Sequence, residues 1–264
     1  MKIDLSAHRA IVSGSTDGIG FAIAVGLARA GAAVVVNGRS DDSTKAAAER
    51  VQQLVPGAKV SAVAGDLSSS EGADNFIAQS GDADILINNV GMFAYTPFET
   101  TTDAEWTKFF ETNVMSGVRL SRHYLSSMLK KNWGRIIFIS SESALNIGLN
   151  LTTYSMTKTA QLAVSRGLAE MTAGTGVTVN SVLPGPTRTR ALDGLVRAKS
   201  KELGVSEAEF ERNFVTQIRP STLLKRLSSP EEVANLVVYV ASEQASSTNG
   251  ASLRVDGGIV RTVA

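Results

Sequence analysis

The sequence predicts an α/β protein with a doubly wound, mainly parallel sheet of about seven strands. Short apolar runs alternate with helical patterns along all 264 residues, and many of the runs end in glycine, asparagine or aspartate. This alternation is typical of parallel strands joined by right-handed helical crossovers. The length allows one or two domains, and α/β folds of about 250 residues are commonly one. No repeat, low-complexity tract or linker divides the chain, so we expect a single domain over residues 1–264.

Each element can be placed along the chain. Strands are expected at the apolar runs 10–12, 33–36, 60–64, 85–87, 135–139, 177–183 and 253–255. The longest helical pattern covers 103–131, where apolar residues recur at the helical period, and another covers 154–171. Ser229 and Pro230 begin a further helix as its cap and first residue. Before that helix, residues 190–224 form a polar insertion of helical character.

Composition excludes several classes of function. The net charge of +1 indicates neither nucleic acid nor an anionic membrane as a partner. The chain has no cysteine and two histidines, which excludes disulfides and thiolate chemistry and argues against a metal site, so we expect none. No signal peptide and no apolar stretch of about 18 residues is present, and a cytoplasmic location is expected.

A glycine-rich turn follows the first strand. It reads Ser13-Gly14-Ser15-Thr16-Asp17-Gly18-Ile19-Gly20, with the spacing G-x-x-x-G-x-G, between a strand and a helix. Glycines there permit a tight turn and the close approach of a pyrophosphate, and a helix N-terminus offers N–H groups to phosphates. We therefore expect residues 14–20 to bind a dinucleotide. A glycine turn without a ligand is the alternative.

The end of the second strand indicates which dinucleotide is bound. A carboxylate at this place favours NAD, whereas an arginine can accept the 2′-phosphate of NADP. The chain reads Asn37-Gly38-Arg39-Ser40, with no acid before Asp41. Arg39 therefore predicts NADP(H), because a guanidinium matches phosphate geometry, and a solvated loop arginine is the alternative.

Further polar residues lie where other strands end. Asp66-Leu67 follows the third strand and Asn89-Val90-Gly91 the fourth, at the edge where open α/β sheets bind ligands. Tyr154 and Lys158 are four apart, on one face of a helix. A neighbouring cation lowers the pKa of a phenol, which suits acid–base catalysis; an amphipathic helix with an extended lysine is the alternative.

Together these motifs resemble the short-chain dehydrogenase/reductase family in its single-domain form of roughly 250 residues, which has a Rossmann fold. The matching positions, in the family's order, are Gly14, Gly18, Gly20, Asp66-Leu67, Asn88-Asn89, Gly91, Asn113, Ser141, Tyr154, Lys158 and Pro184-Gly185. The chain is most similar to 3-oxoacyl-carrier-protein reductases and the carbonyl reductases related to them. It departs from the usual pattern at Val90, where alanine is usual, and at Pro186.

The resemblance implies a role for each matching residue in the NADPH-dependent reduction of a ketone. Tyr154 would donate a proton, Lys158 would lower its pKa and bind the nicotinamide ribose, and Ser141 would bind the substrate oxygen. Asn113 would hold a water that links Lys158 to solvent. The cofactor would also meet Asp66, Leu67, Asn89, Val90, Gly91, Pro184, Gly185, Thr187 and Thr189.

The resemblance also implies a substrate lid at about 190–224 and a homotetramer. We expect mostly apolar pocket walls from 92–94 and 143–149, with no arginine placed to hold a carboxylate near Ser141, and therefore a ketone or β-keto ester with an apolar flank. A carrier-protein substrate remains an alternative, docked on the basic residues Arg188, Arg190, Arg197, Lys199 and Lys201. A non-catalytic NADP-binding sensor or scaffold is the alternative of another class. The Tyr154–Lys158 spacing argues against enoyl reduction, for which the family uses a longer one.

Overall fold

A seven-stranded parallel sheet runs through the computed structural model, which describes residues 2–263. The strand order is β3-β2-β1-β4-β5-β6-β7. The strands are β1 Arg9–Val12, β2 Ala33–Gly38, β3 Val60–Ala64, β4 Ile85–Asn88, β5 Gly134–Ile139, β6 Val177–Pro184 and β7 Ser252–Val255. The order reverses between β1 and β4, which opens a crevice at the carboxyl ends of these strands. The predicted doubly wound α/β fold is confirmed.

Nine α-helices lie in the described part of the chain. They are α1 Gly18–Arg29, α2 Asp41–Leu54, α3 Ser70–Ser80, α4 Asp103–Phe110, α5 Ser116–Lys131, α6 Thr152–Met171, α7 Arg190–Leu203, α8 Glu207–Asn213 and α9 Pro230–Val240. Helices α1, α2 and α9 cover one face of the sheet, and α3, α5 and α6 cover the other. The helical character predicted for 190–224 is confirmed by α7, α8 and a π-helical turn at Phe214–Ile218.

Two apolar layers, one on each face, hold the sheet. Along β2, Val34 and Val36 join the layer under α1 and α9, whereas Val35 joins the layer under α3 and α5. This alternation follows the two-residue period of a strand. Because both faces are covered, the central strands are mostly apolar on both faces, which is why they contain the short apolar runs seen in the sequence.

The helix predicted over 103–131 is not a uniform α-helix. Between α4 and α5 the chain forms a π-helical turn at Glu111–Met115, and Asn113 lies within it. A π-helical turn leaves backbone groups without their usual partner four residues away, and such turns are frequent at functional sites. None of the helices in residues 2–263 combines the length and apolar character that crossing a membrane requires.

Candidate active site

The turn between β1 and α1 can be built only with glycine at three positions. Gly14 and Gly18 both have φ of +58°, in the left-handed region that favours glycine. A Cβ atom on Gly20 would lie 2.4 Å from the Gly14 carbonyl oxygen and 2.4 Å from Asn89 Nδ2. The three glycines of the motif therefore serve chain geometry and close packing, as a dinucleotide cradle requires.

Side chains from three strand ends hold this turn. Asn89 Nδ2 donates to the carbonyl oxygens of Gly14 at 2.9 Å and of Ser13 at 3.0 Å. Asn37 Oδ1 accepts from the backbone N–H of Gly14 at 3.0 Å, and Ser13 Oγ accepts from that of Asn89 at 2.9 Å. Sequence reasoning assigned no role to Asn37, although an asparagine directly after the apolar run 33–36 was visible in the sequence. The turn is thus fixed by the protein itself.

The edge of the sheet beside the turn suits a phosphate-bearing ligand. Helix α1 begins at Gly18, and its cap residue Asp17 makes no side-chain cap bond, so no side chain of its cap competes for the first N–H groups. Arg39 is exposed at the end of β2 and lies close enough to Asp66 to help lower the pKa of that carboxyl. Hydrogen bonds from Ser68 are the larger cause of that lowering. Arg39 and Asp66 thus lie on one side of the cradle, as expected.

Ser141, Tyr154 and Lys158 meet on the wall of a cavity of about 410 Å³. Ser141 follows β5, and its hydroxyl lies close enough to that of Tyr154, near the start of α6, to help lower the pKa of the tyrosine. The cavity is also lined by the expected residues Ile19, Asn89, Gly91, Pro184, Gly185, Thr187 and Thr189. Residues from the ends of β4, β5 and β6 and from helices α1 and α6 thus converge on one space, which joins the glycine turn to the predicted reaction centre.

The electrostatics of Tyr154 and Lys158 differ from expectation. Burial raises the pKa of Tyr154 to about 12, and the nearby Ser141 hydroxyl opposes that rise only in part. Burial lowers the pKa of Lys158 to about 7. The Lys158 ammonium lies 5.7 Å from the centre of the tyrosine ring and donates instead to the Ile139 carbonyl at 2.9 Å. The expected lowering of the tyrosine pKa by the lysine is therefore wrong for the polypeptide alone, where desolvation is the larger effect.

Asn113 reaches this centre through protein groups. Its Oδ1 accepts from Met92 N–H at 2.7 Å, and its Nδ2 donates to Thr157 Oγ1 at 2.9 Å and to the Met92 carbonyl at 3.1 Å. Its backbone carbonyl, within the π-helical turn, accepts from Gln161 Nε2 at 2.5 Å. Gln161 Oε1 in turn accepts from Lys158 Nζ at 3.3 Å.

Gln161 was missed by sequence reasoning. It is 1% exposed, and the signal that could have found it is its place one turn beyond Lys158, on the same face of α6. Its amide connects Asn113 to Lys158 directly. The water that the resemblance implies between Lys158 and solvent, held by Asn113, stays a prediction.

The substrate end of the cavity differs in part from the predicted walls. Met92, Phe93 and Ser143 line it as expected, but Leu145, Ile147 and Leu149 are exposed outside it. An arginine to which sequence reasoning gave no place in the pocket also lines this end of the cavity. Arg219 lines the cavity, and its Nε donates to Glu142 Oε1 at 2.8 Å. Sequence reasoning missed this pair because its partners lie 77 residues apart. Within residues 2–263, no group of three or more metal-ligating side chains is close enough to hold a metal ion.

Fold and site together define a dinucleotide-binding oxidoreductase. The family model described as enoyl-(acyl carrier protein) reductase matches residues 14–260. The uncharacterized oxidoreductase YvaG of Bacillus subtilis is 42% identical over 263 residues, with complete coverage of both chains. The 3-oxoacyl-[acyl-carrier-protein] reductase FabG of Aquifex aeolicus is 32% identical, over 98% of this chain and 100% of its own.

A solved structure agrees over the whole chain. L-Sorbose reductase from Gluconobacter frateurii, crystallised with NADPH and L-sorbose, superimposes with a TM-score of 0.94 at 31% identity, with complete coverage of both chains. The chain belongs to the short-chain dehydrogenase/reductase family of oxidoreductases.

Lys158 should give the folded state a measurable pH dependence. Its pKa is lowered on folding, so above about pH 7 the folded protein releases a proton that the unfolded chain keeps until its own pKa of 10.5. Between these values the free energy of unfolding of the wild type should therefore rise relative to Lys158→Met, by up to about 1.4 kcal/mol per pH unit. Urea unfolding of both proteins from pH 6 to 10 measures this difference. A constant difference would show that Lys158 keeps an ordinary pKa.

Proposed function

We propose that the protein is an NADPH-dependent reductase that transfers hydride to a ketone and, in reverse, oxidises a secondary alcohol. The observation that carries this proposal is that Ser141, Tyr154 and Lys158 line one cavity, which also reaches the glycine-rich edge at Ile19 and Asn89. Structural relatives crystallised with NADPH or NADP support the choice of cofactor.

In this proposal the chain supplies proton transfer and orientation. NADPH supplies the hydride when bound. The residues that would hold it are 14–20, Arg39, Asp66, Leu67, Asn89, Val90, Gly91, Pro184, Gly185, Thr187 and Thr189. Tyr154, whose pKa lies far above neutrality, stays protonated and gives its proton to the ketone oxygen. Ser141 donates a hydrogen bond to the same oxygen, and the Lys158 ammonium stabilises the phenolate that forms.

The segment 190–224 serves as a substrate cover in this proposal. Leu192 on α7 and Phe214 in the π-helical turn both line the cavity, opposite Met92 and Phe93. These four side chains favour a ketone with an apolar flank. The charge of Arg219 is matched by that of Glu142, so poor activity on small keto acids is still expected.

A carrier-protein substrate is favoured less. The basic residues proposed as a dock are largely matched by acids on the same surface: Arg188 pairs with Glu211, Lys199 with Glu202 at 2.8 Å, and Arg197 lies 3.9 Å from Glu207. A surface whose charges are already matched attracts an acidic partner weakly. The rate of NADPH oxidation can be compared for four substrates. They are a 3-oxoacyl group on carrier protein, the same group as a small thioester, an enoyl thioester and a free ketone.

Tyr154→Phe tests the reaction. The change removes the proton donor and keeps the ring, so NADPH-dependent ketone reduction should fall by at least about 10²-fold. Binding of NADPH, followed by its fluorescence, should be retained. NADPH oxidation with a panel of activated ketones measures the effect. If Tyr154→Phe kept most of its activity, Tyr154 would not be the proton donor. If the wild type were inactive on every ketone, thioester and alcohol, a non-catalytic sensor or scaffold would be favoured.

Arg39→Ala tests the cofactor. A charge-assisted contact to the 2′-phosphate should favour NADPH over NADH by about ten- to hundredfold, and the alanine variant should lose most of that preference while keeping its affinity for NADH. Equilibrium binding of both cofactors at low salt measures it. Arg29→Ala, at the opposite end of α1, is the matched control. Equal losses for both cofactors would assign Arg39 a structural role.

The predicted homotetramer has a candidate interface. Helices α5 and α6 expose an apolar groove lined by Val118, Leu125, Leu129, Val164, Leu168 and Met171. Pairing two copies across a two-fold axis would cover it, and contacts elsewhere would complete a tetramer. Sedimentation should show a tetramer for the wild type and for Leu203→Arg, which lies off the groove, but smaller species for Leu168→Arg. A wild-type monomer at working concentrations would contradict this assembly.

A further inference from the structure

A hydrogen-bonded turn holds the hydroxyl of Ser141. Ser141 is followed by a single 3₁₀ turn, Glu142–Ala144. The backbone N–H of Ser143 donates to Ser141 Oγ at 3.1 Å. A serine hydroxyl has one proton and two acceptor positions. Because Ser143 occupies an acceptor position, the Ser141 proton is directed away from this turn, toward the side where Tyr154 lies.

The turn is itself fixed by Glu142 and Arg219. Ser143 Oγ donates to Glu142 Oε1 at 3.1 Å. Arg219 Nε donates to the same carboxylate oxygen at 2.8 Å, and Arg219 Nη2 donates to Ser143 Oγ at 3.3 Å. Four side chains are thereby connected in sequence, from Arg219 through Glu142 and Ser143 to Ser141.

Stability alone is a poor account of this ion pair. The side chains of Glu142 and Arg219 are only 3% and 10% exposed, whereas Arg226 and Glu232 form a pair on the surface. Burying two charges costs roughly what their attraction returns. Among the described residues, Glu142 Oε2 has no hydrogen-bond partner, which makes the burial still less favourable. A costly pair on the wall of the cavity therefore suggests a role in the site.

Arg219 also ties the cover to the site. It directly follows the π-helical turn Phe214–Ile218, which ends the helical part of the cover and places Phe214 on the cavity wall. The bonds from Arg219 thus join the cover to the turn that follows Ser141. A displacement of this part of the cover would break the bonds to Glu142 and Ser143 together.

We propose that Glu142 and Arg219 are positioning residues for the reaction, which hold the Ser141 hydroxyl in its productive orientation while the cover lies over the cavity. The proposal rests on the proposed ketone reduction. Its consequence is that the hydrogen bond to the ketone oxygen is set only when the substrate is enclosed. Neither residue touches the reacting atoms in this account.

The experiment compares Arg219→Met and Glu142→Gln with Arg226→Met. Arg226 forms an ion pair with Glu232 at the surface, is not among the residues that line the cavity, and serves as the matched control. A single turnover of bound NADPH is followed by stopped flow at saturating ketone, with the panel ketone that the wild type reduces fastest. The amplitude of the reaction measures the fraction of enzyme molecules that are active. The rate constant depends on how well the reacting groups are placed in those molecules.

Arg219→Met should keep most of the amplitude and lose about ten- to hundredfold in the rate constant, the usual effect of a misplaced group or a weakened oxyanion contact. Glu142→Gln can still accept bonds from Arg219 and Ser143, so it should lose less. Arg219→Lys, which restores the charge, should recover part of the rate, and Arg226→Met should match the wild type. A loss confined to the amplitude would overturn the proposal and leave the pair a role in stability only.

Hydrogen exchange separates this proposal from the proposed function. Arg219→Met should speed exchange at the Ser143 amide and leave β5 protected, and this needs no turnover. Unchanged exchange at Ser143 would overturn the positioning role even if the enzyme reduces ketones. A wild type that reduces no ketone would instead overturn the proposed function, whatever the exchange shows.

Discussion

The carboxyl edge of the sheet depends on amide side chains that replace lost backbone hydrogen bonds. Where parallel strands end, the chain leaves the ladder, and its N–H and C=O groups need other partners if they stay away from water. Asn37, Asn89 and Asn113 supply those partners at the glycine turn and at Met92. An amide both donates and accepts without carrying charge, so it can be buried at lower cost than an ionised group.

The fold and the position of the site along the sheet edge could be predicted because the sequence patterns that indicate them are local. A buried strand, a glycine turn and an N-cap are each written within a few residues. Parallel topology then brings the strand ends to one edge, so that Gly14, Asn89, Ser141 and Thr187 could be placed together without knowledge of their contacts. Tyr154 and Lys158 could also be paired from the sequence, because they lie four residues apart on the single helix α6.

What escaped prediction depends on contacts between distant parts of the chain or on burial. Glu142 and Arg219 meet across 77 residues. Gln161 and Asn113 meet across 48, through a π-helical turn that no period in the sequence marked. The pKa of Tyr154 was misjudged because a sequence shows a neighbouring lysine but not the loss of solvent. Two side chains on one helix can be paired from their spacing in the sequence. The loss of solvent around a side chain depends on the whole fold and cannot be seen in the sequence.

The glycine turn also has a consequence for selectivity among ligands. Its backbone is held by Ser13, Asn37 and Asn89 from the protein side, so little free energy would be spent on ordering it when a ligand arrives. The same hydrogen bonds also prevent the glycine turn from widening. A group even slightly larger than the one it fits would have to break several of these hydrogen bonds at once. Rigidity at this place thus acts as a size filter, and chemical variety in what the protein accepts must come from the opposite end of the cavity.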